Sequence, residues 1–152
     1  MRTTTREPSW EHEERLLDPE EIGYLSKNAL QFSDLLHTYR LRQSGETPVP
    51  SELDELLRRW SSDIATDKAS EEVIVATLGI TFGNYLCSAR DMHWIEVRDQ
   101  VGVTYAVRHF RPDVYAFPID SVRKHLGLGS SDPFVQIDNA TADAISANSG
   151  RQ

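Results

Sequence analysis

His93 and His109 stand at the two ends of "HWIEVRDQVGVTYAVRH", and the residues between them have the pattern of a β-hairpin. Ile95 and Val97 alternate with polar or aromatic neighbours, as do Val103, Tyr105 and Val107. A short break containing glycine, Asp99 to Gly102, separates the two runs. Folded about that break, His93 is expected to face His109 or a near neighbour across the ladder. Two opposed histidines with one carboxylate would hold a transition metal or titrate near neutral pH. The sequence names no third ligand, however, and the histidines at 12, 37, 93, 109 and 125 show no H-x-x-x-H or H-E-x-x-H spacing. Histidines at the ends of a sheet more often meet solvent or bond to backbone, so no metal and no cofactor is expected.

Other chemistries find less support. Nucleophilic catalysis needs a Ser or Cys beside a base on an exposing turn, and no G-x-S-x-G elbow is present. Cys87 lies in an apolar helical stretch, where an inert buried thiol is the default. "GLGSS" at 127–131 lacks the lysine and downstream helix of a phosphate loop. Glu52, Asp54 and Glu55 open a helix, where complementing the dipole explains them without a cleft. The remaining option is binding. If Ile95, Val97, Val103, Tyr105 and Val107 pack on helices, then Trp94, Glu96 and Arg98, with Thr104 and Arg108 beside them, form the outer face. A tryptophan flanked by arginines is the composition of an interface anchor.

Charge bears on what such a face would meet. Acidic residues outnumber basic ones 24 to 16, for a formal charge of −8, and the basic residues are scattered. Nucleic-acid binding depends on clustered Lys and Arg, so a nucleic-acid partner is not expected. A basic protein partner would be steered by this charge, and Glu20, Glu21, Asp34, Asp54, Glu55 and Asp63 are expected on outer helix faces. The apolar fraction of 39% and charged fraction of 26% are those of an ordinary soluble protein. No signal-like N-terminus and no long uninterrupted apolar run is evident, and one cysteine fits a reducing compartment. A cytoplasmic location without membrane contact is therefore expected.

The elements that must carry these residues follow from periodicity. Asp18-Pro19 reads as an N-cap and first helical residue, and Ile22, Leu25, Ala29, Phe32, Leu36 and Tyr39 continue one helical face. After the break "QSGETPVP", Ser51 is placed to cap a second helix with Leu53, Leu56, Leu57, Trp60 and Ile64 inward. Ser70 is placed to cap a third, from Glu71 to about Ser88, which is apolar on most sides. Gly79 and Gly83 in that helix predict close packing against the sheet or the first helix. The hairpin, a strand at Val114–Phe117 and a short helix from Pro118 to Gly127 follow. "DPFVQI" would suit an edge strand. The predicted fold is α+β: three N-terminal helices packed on a three-stranded antiparallel meander, with a short helix after it. Residues 18–138 form the domain, and 1–17 and 139–152 are expected to be flexible ends.

The second half also resembles a known family. "LGITFGNYL", "MHWIEVRDQVG" and "FPIDSVRKHL", in that order, resemble the bacterial domain of unknown function 3806. The matching positions are Leu78, Gly79, Phe82 and Gly83, then Trp94, Asp99 and Gly102, then Pro118, Ser121, Val122 and Lys124. The resemblance spans roughly 71–126. It supports the α+β fold and implies no reaction. A non-enzymatic protein-binding domain is thus the expected function. The alternatives are an immunity-like protein that neutralises a basic toxin, and a small metal enzyme built on His93 and His109.

Overall fold

A computed structural model of the chain describes residues 12–45, 47–128 and 132–149. The chain runs β1 (Glu13–Leu16), α1 (Pro19–Ser26), α2 (Gln31–Thr38), α3 (Pro50–Ser62), α4 (Glu71–Arg90), β2 (His93–Arg98), β3 (Val103–Phe110), β4 (Asp113–Ala116), α5 (Pro118–Leu128) and α6 (Pro133–Ser149). The described strands form one antiparallel sheet in the order β1-β2-β3-β4. The fold is α+β.

Local chemistry explains most of these boundaries. Asp18 accepts from the Glu21 amide at 2.8 Å, and the Glu21 carboxylate accepts from the Asp18 amide at 3.1 Å, closing a capping box ahead of Pro19. The expected single helix over 19–39 is divided by a 3₁₀ turn at Lys27–Leu30, although its apolar face runs on through Leu25, Phe32 and Leu35. α3 starts two residues earlier than the Ser51 cap implied. Pro50 takes the first position, and Glu52 reaches back to the Val49 amide at 2.9 Å. Ser70 caps α4 as expected.

α4 is the central element. By length and composition alone it could cross a bilayer, yet here it is a core helix, with Ile74, Leu78, Phe82 and Leu86 wholly buried. Its two glycines are where other backbone and ring atoms come closest. A Cβ at Gly79 would lie 2.7 Å from Ile119 Cα of α5, and one at Gly83 would run into the Trp94 ring. Both glycines therefore serve packing, against α5 and against the sheet.

Two outcomes at the chain ends differ from the sequence reading. Residues 1–11 and 150–152 lie outside the described residues, but 13–16 form strand β1, paired along β2 from Glu13↔Arg98 to Leu16↔Ile95. Leu17 extends the contact by donating to the Trp94 carbonyl at 3.1 Å. At the other end, the segment expected to be an edge strand and a loose tail is the single helix α6. Phe134, Asp138, Thr141 and Ala144 are buried along one side of it. Its first turn is held from another helix: Asp54 of α3 accepts from the Phe134 and Val135 amides at 2.8 and 3.1 Å. Asp54, expected on an outer face, is instead 1% exposed.

Candidate functional site

Register decides which side chains share a face of the sheet. β2 and β3 pair with His93 opposite Arg108, Trp94 opposite Val107 and Glu96 opposite Tyr105. This is one residue away from the register that would set His93 against His109, and such a slip moves every side chain of one strand to the other face. His93 and His109 consequently point to opposite sides. The His93 ring lies 5.7 Å from the Phe110 ring, while His109 Nδ1 bonds the Pro112 carbonyl at 2.9 Å. The described residues contain no group of three or more metal-ligating side chains. The two-histidine metal site is thus not formed.

The same register divides the expected binding face. Trp94, Glu96 and Arg98 share a side with Val107, Tyr105 and Ala116, whereas Thr104 and Arg108 lie on the other with Ile95, Val97 and Tyr115. Trp94 is not an exposed anchor. It is 2% exposed under α4, and its indole N–H donates to Asn84 Oδ1 at 3.0 Å. Cys87, expected as a buried thiol, is half-buried on α4. Burial pushes its thiol up to about 12, which keeps it protonated at neutral pH.

Arg108 belongs to a polar cluster on the far face. It donates to Glu14 at 2.6 Å and to Asp113 at 2.8 Å, and its guanidinium lies over the Phe110 ring at 4.6 Å. Glu14 also bonds His12 and accepts from the Tyr115 hydroxyl. Burial would raise the Glu14 carboxyl, but the hydrogen bonds from Tyr115 and His12 and the charge of Arg108 hold it below its usual value. The small Ala106 between β2 and β4 lets the tyrosine lie across the sheet toward β1. This cluster ties the first strand to the last, and its groups are engaged with one another.

A more open arrangement lies on the Glu96 side, beyond the reach of α4. There α1 and the two residues leading into it, Leu17 and Asp18, face Tyr105 of β3 across a groove of about 430 Å³. Leu17, Leu25 and Asn28 line it, with Tyr24 and Tyr105 at its walls and Asp18, Glu20 and Glu21 along one rim. Tyr24 is 74% exposed and Tyr105 38%, and the Lys27 ammonium already lies over the Tyr24 ring, 5.9 Å from its centroid. A second cleft lined by Glu13, Glu14, Arg15, Glu96 and Arg98 continues along the sheet.

Arg15 organises the boundary between the two. Its guanidinium grips both Glu21 carboxylate oxygens at 2.6 and 2.7 Å and reaches Glu96 at 3.2 Å. Arg98 holds the other Glu96 oxygen at 3.3 Å. The Arg15 contact drives the Glu21 carboxyl down to about 2, so it is ionised throughout the physiological range. Glu13 and Glu20 form no ion pair with another described residue, and their charge is left to the surroundings. The groove thus joins two tyrosines to a carboxylate rim whose charge Arg15 and Lys27 offset in part, with Glu20 forming no ion pair with another described residue.

None of the five residues expected to bind lines this groove; Glu96 and Arg98 line the second cleft beside it. Sequence reasoning missed Leu17, Tyr24, Leu25, Asn28 and Tyr105. Tyr105 was assigned inward by an assumed face, and Tyr24 gave no signal beyond its place off the apolar stripe of α1.

The comparisons with known proteins bear on the sheet and central helices. No curated protein and no solved structure matches the chain. A family model described as Domain of unknown function (DUF3806) matches residues 53–132. That span begins in α3, takes in α4, the hairpin, β4 and α5, and stops just before α6; β1, α1 and α2 also lie outside it. Of the residues lining the groove, Tyr105 alone lies in the matched region, and the others come from the elements preceding it. With more than half of its 152 residues matched, the chain belongs to the domain of unknown function 3806 family.

Proposed function

We propose that this chain is a non-enzymatic protein-binding domain, and that the groove between α1 and the sheet takes a basic segment of its partner. One observation carries this reading: two exposed tyrosines, Tyr24 and Tyr105, frame a groove whose rim is Asp18, Glu20 and Glu21. A lysine or arginine seated between such rings gains a cation–π contact of about 0.5–2 kcal/mol, depending on desolvation. Glu20 on the rim, which forms no ion pair with another described residue, steers it there and accepts its hydrogen bonds. The overall charge of −8 acts in the same direction at longer range. The apolar floor at Leu17 and Leu25 suits a partner segment that alternates basic and aliphatic residues.

A capped peptide of alternating arginine and leucine, titrated by calorimetry at low salt, tests this. Binding is expected to weaken about tenfold in Tyr24→Ala and in Tyr105→Ala, and to fall further in the double variant. It should also weaken steeply between about 50 and 500 mM salt as the Debye length shortens. Equal affinity for wild type and the double tyrosine variant would refute the groove. Salt-independent binding would remove the electrostatic part of the reading. Both tyrosines are surface side chains, so circular dichroism melts should show an intact fold in every variant.

A further inference from the structure

Away from that groove, one polar face of α4 ends in an unmet need. Thr77, Thr81 and Asn84 follow one another at helical spacing toward α1 and the 3₁₀ turn. The hydroxyl of Thr77 donates to the Asn28 carbonyl at 3.2 Å. One Nδ2 proton of Asn84 goes to Ser26 Oγ at 3.3 Å, and its Oδ1 accepts from the Trp94 indole at 3.0 Å. Thr81, between them, is 6% exposed and its Oγ1 has no hydrogen-bond partner. A buried hydroxyl left unpaired is costly, and each such group in a folded protein calls for a reason.

The chain opposite Thr81 opens into a cavity of about 250 Å³. Ala29, Leu30, Phe32 and Pro48 give it an apolar wall, Ser33, Gln43 and Thr47 stand on its rim, and Thr81 and Asn84 close it on the α4 side. Among the described residues, no charged side chain lines it. The volume exceeds the roughly 150 Å³ that accommodates benzene and falls short of the roughly 300 Å³ at which drug-sized sites begin. Threonine in a helix divides between two χ1 rotamers, so the hydroxyl and methyl of Thr81 can exchange places when a partner enters. The hydroxyl proton of Thr81 and the second amide proton of Asn84 then remain as donors, which complement an acceptor without charge.

We propose that this cavity is a binding site for a small, neutral, largely apolar carbonyl compound of about one ring, whose oxygen accepts from Thr81. The site is distinct from the tyrosine groove and does not depend on it.

Acetophenone is a suitable probe, with ethylbenzene and benzoate as its counterparts lacking the acceptor and carrying a charge. The Trp94 indole N–H resonance is the readout, because its hydrogen-bond acceptor, Asn84, lines the cavity. Acetophenone is expected to shift that resonance saturably. Thr81→Val, which keeps the side-chain shape, should weaken binding about fivefold, as loss of one neutral hydrogen bond does. Thr81→Ser, which keeps the hydroxyl, should bind like wild type, and ethylbenzene should not distinguish wild type from Thr81→Val. No saturable shift with acetophenone would overturn the site. Equal acetophenone affinity in wild type and Thr81→Val, or tighter binding of benzoate than of acetophenone, would overturn the assigned chemistry.

Discussion

Carboxylates sit in contrasting surroundings at the α6 seam and at the tyrosine groove. At the seam, Asp54 and Asp138 are almost fully buried and each oxygen has a donor. Arg90 grips Asp138 through two bonds of 2.9 and 3.0 Å, and the Tyr85 hydroxyl adds a third at 3.0 Å. At the groove, Asp18, Glu20 and Glu21 stand on a rim that faces solvent. The same chemical group fixes a helix in both places, through Asp54 at the seam and through Asp18 and Glu21 at the groove, and on the rim Glu20 is the carboxylate with no ion pair to another described residue. Burial and partner count make the difference, because a carboxylate withdrawn from water must be matched locally, whereas an exposed one acts at a distance.

The largest effect should come from breaking the seam at its most buried ion pair. Asp138→Ala leaves the Arg90 guanidinium and the Tyr85 hydroxyl without their acceptor and should cost about 3 kcal/mol, read from the denaturant midpoint. A cost near zero would mean that α6 is held by apolar packing alone.

Asp54 sharpens the comparison through pH. Burial pushes its carboxyl up to about 6, against the two amide bonds that favour the charged form. The unfolded chain releases this proton near pH 4, so between about pH 4 and 6 the folded state holds more of it. Its contribution to stability is therefore greatest below about pH 4 and declines as pH rises through 6. Asp54→Asn should flatten that part of the profile relative to wild type, as followed by urea unfolding from pH 4 to 7. Asp54→Ala, which removes the cap entirely, should cost about 2 kcal/mol.

The smallest effect on stability belongs to the groove. Glu20→Gln should leave the unfolding midpoint where it is while slowing association of the basic peptide at low salt. A shifted midpoint would place Glu20 among the structural carboxylates and erase the contrast.

How much of this was legible in the sequence depends on whether the signal was local. α4 announced itself through Ser70 and its apolar residues, the hairpin through alternation about Asp99–Gly102, and Gly79 and Gly83 as sites of close packing. The family resemblance rested on the same residues. α6 did not announce itself, because "DNATADAISANS" spreads a thin apolar stripe among small polar residues and its first turn is capped by Asp54 of another helix. β1 is four residues, "EERL", three of them charged, and owes its strand form to the partner at 93–98. The groove was hardly visible. Glu96 and Arg98 belong to the cleft beside it, and the expectation put Trp94 outside and Tyr105 inside because alternation reveals two faces without saying which one the helices cover. Thr104 and Arg108 were lost to a single step of register.

The brevity and charge of β1 have a consequence for how many copies of this chain can share a solution. A sheet with an open border offers unpaired amides and carbonyls to any similar border it meets, and stacking of that kind has no natural end. Here the outermost strand presents Glu13, Glu14 and Arg15 over only four residues, with Arg15 and Glu14 already committed to neighbours inside the fold. Two such borders brought together would gain a ladder of only four residues, too short to repay their association. Concentrated preparations should therefore resist fibre growth from this side of the sheet.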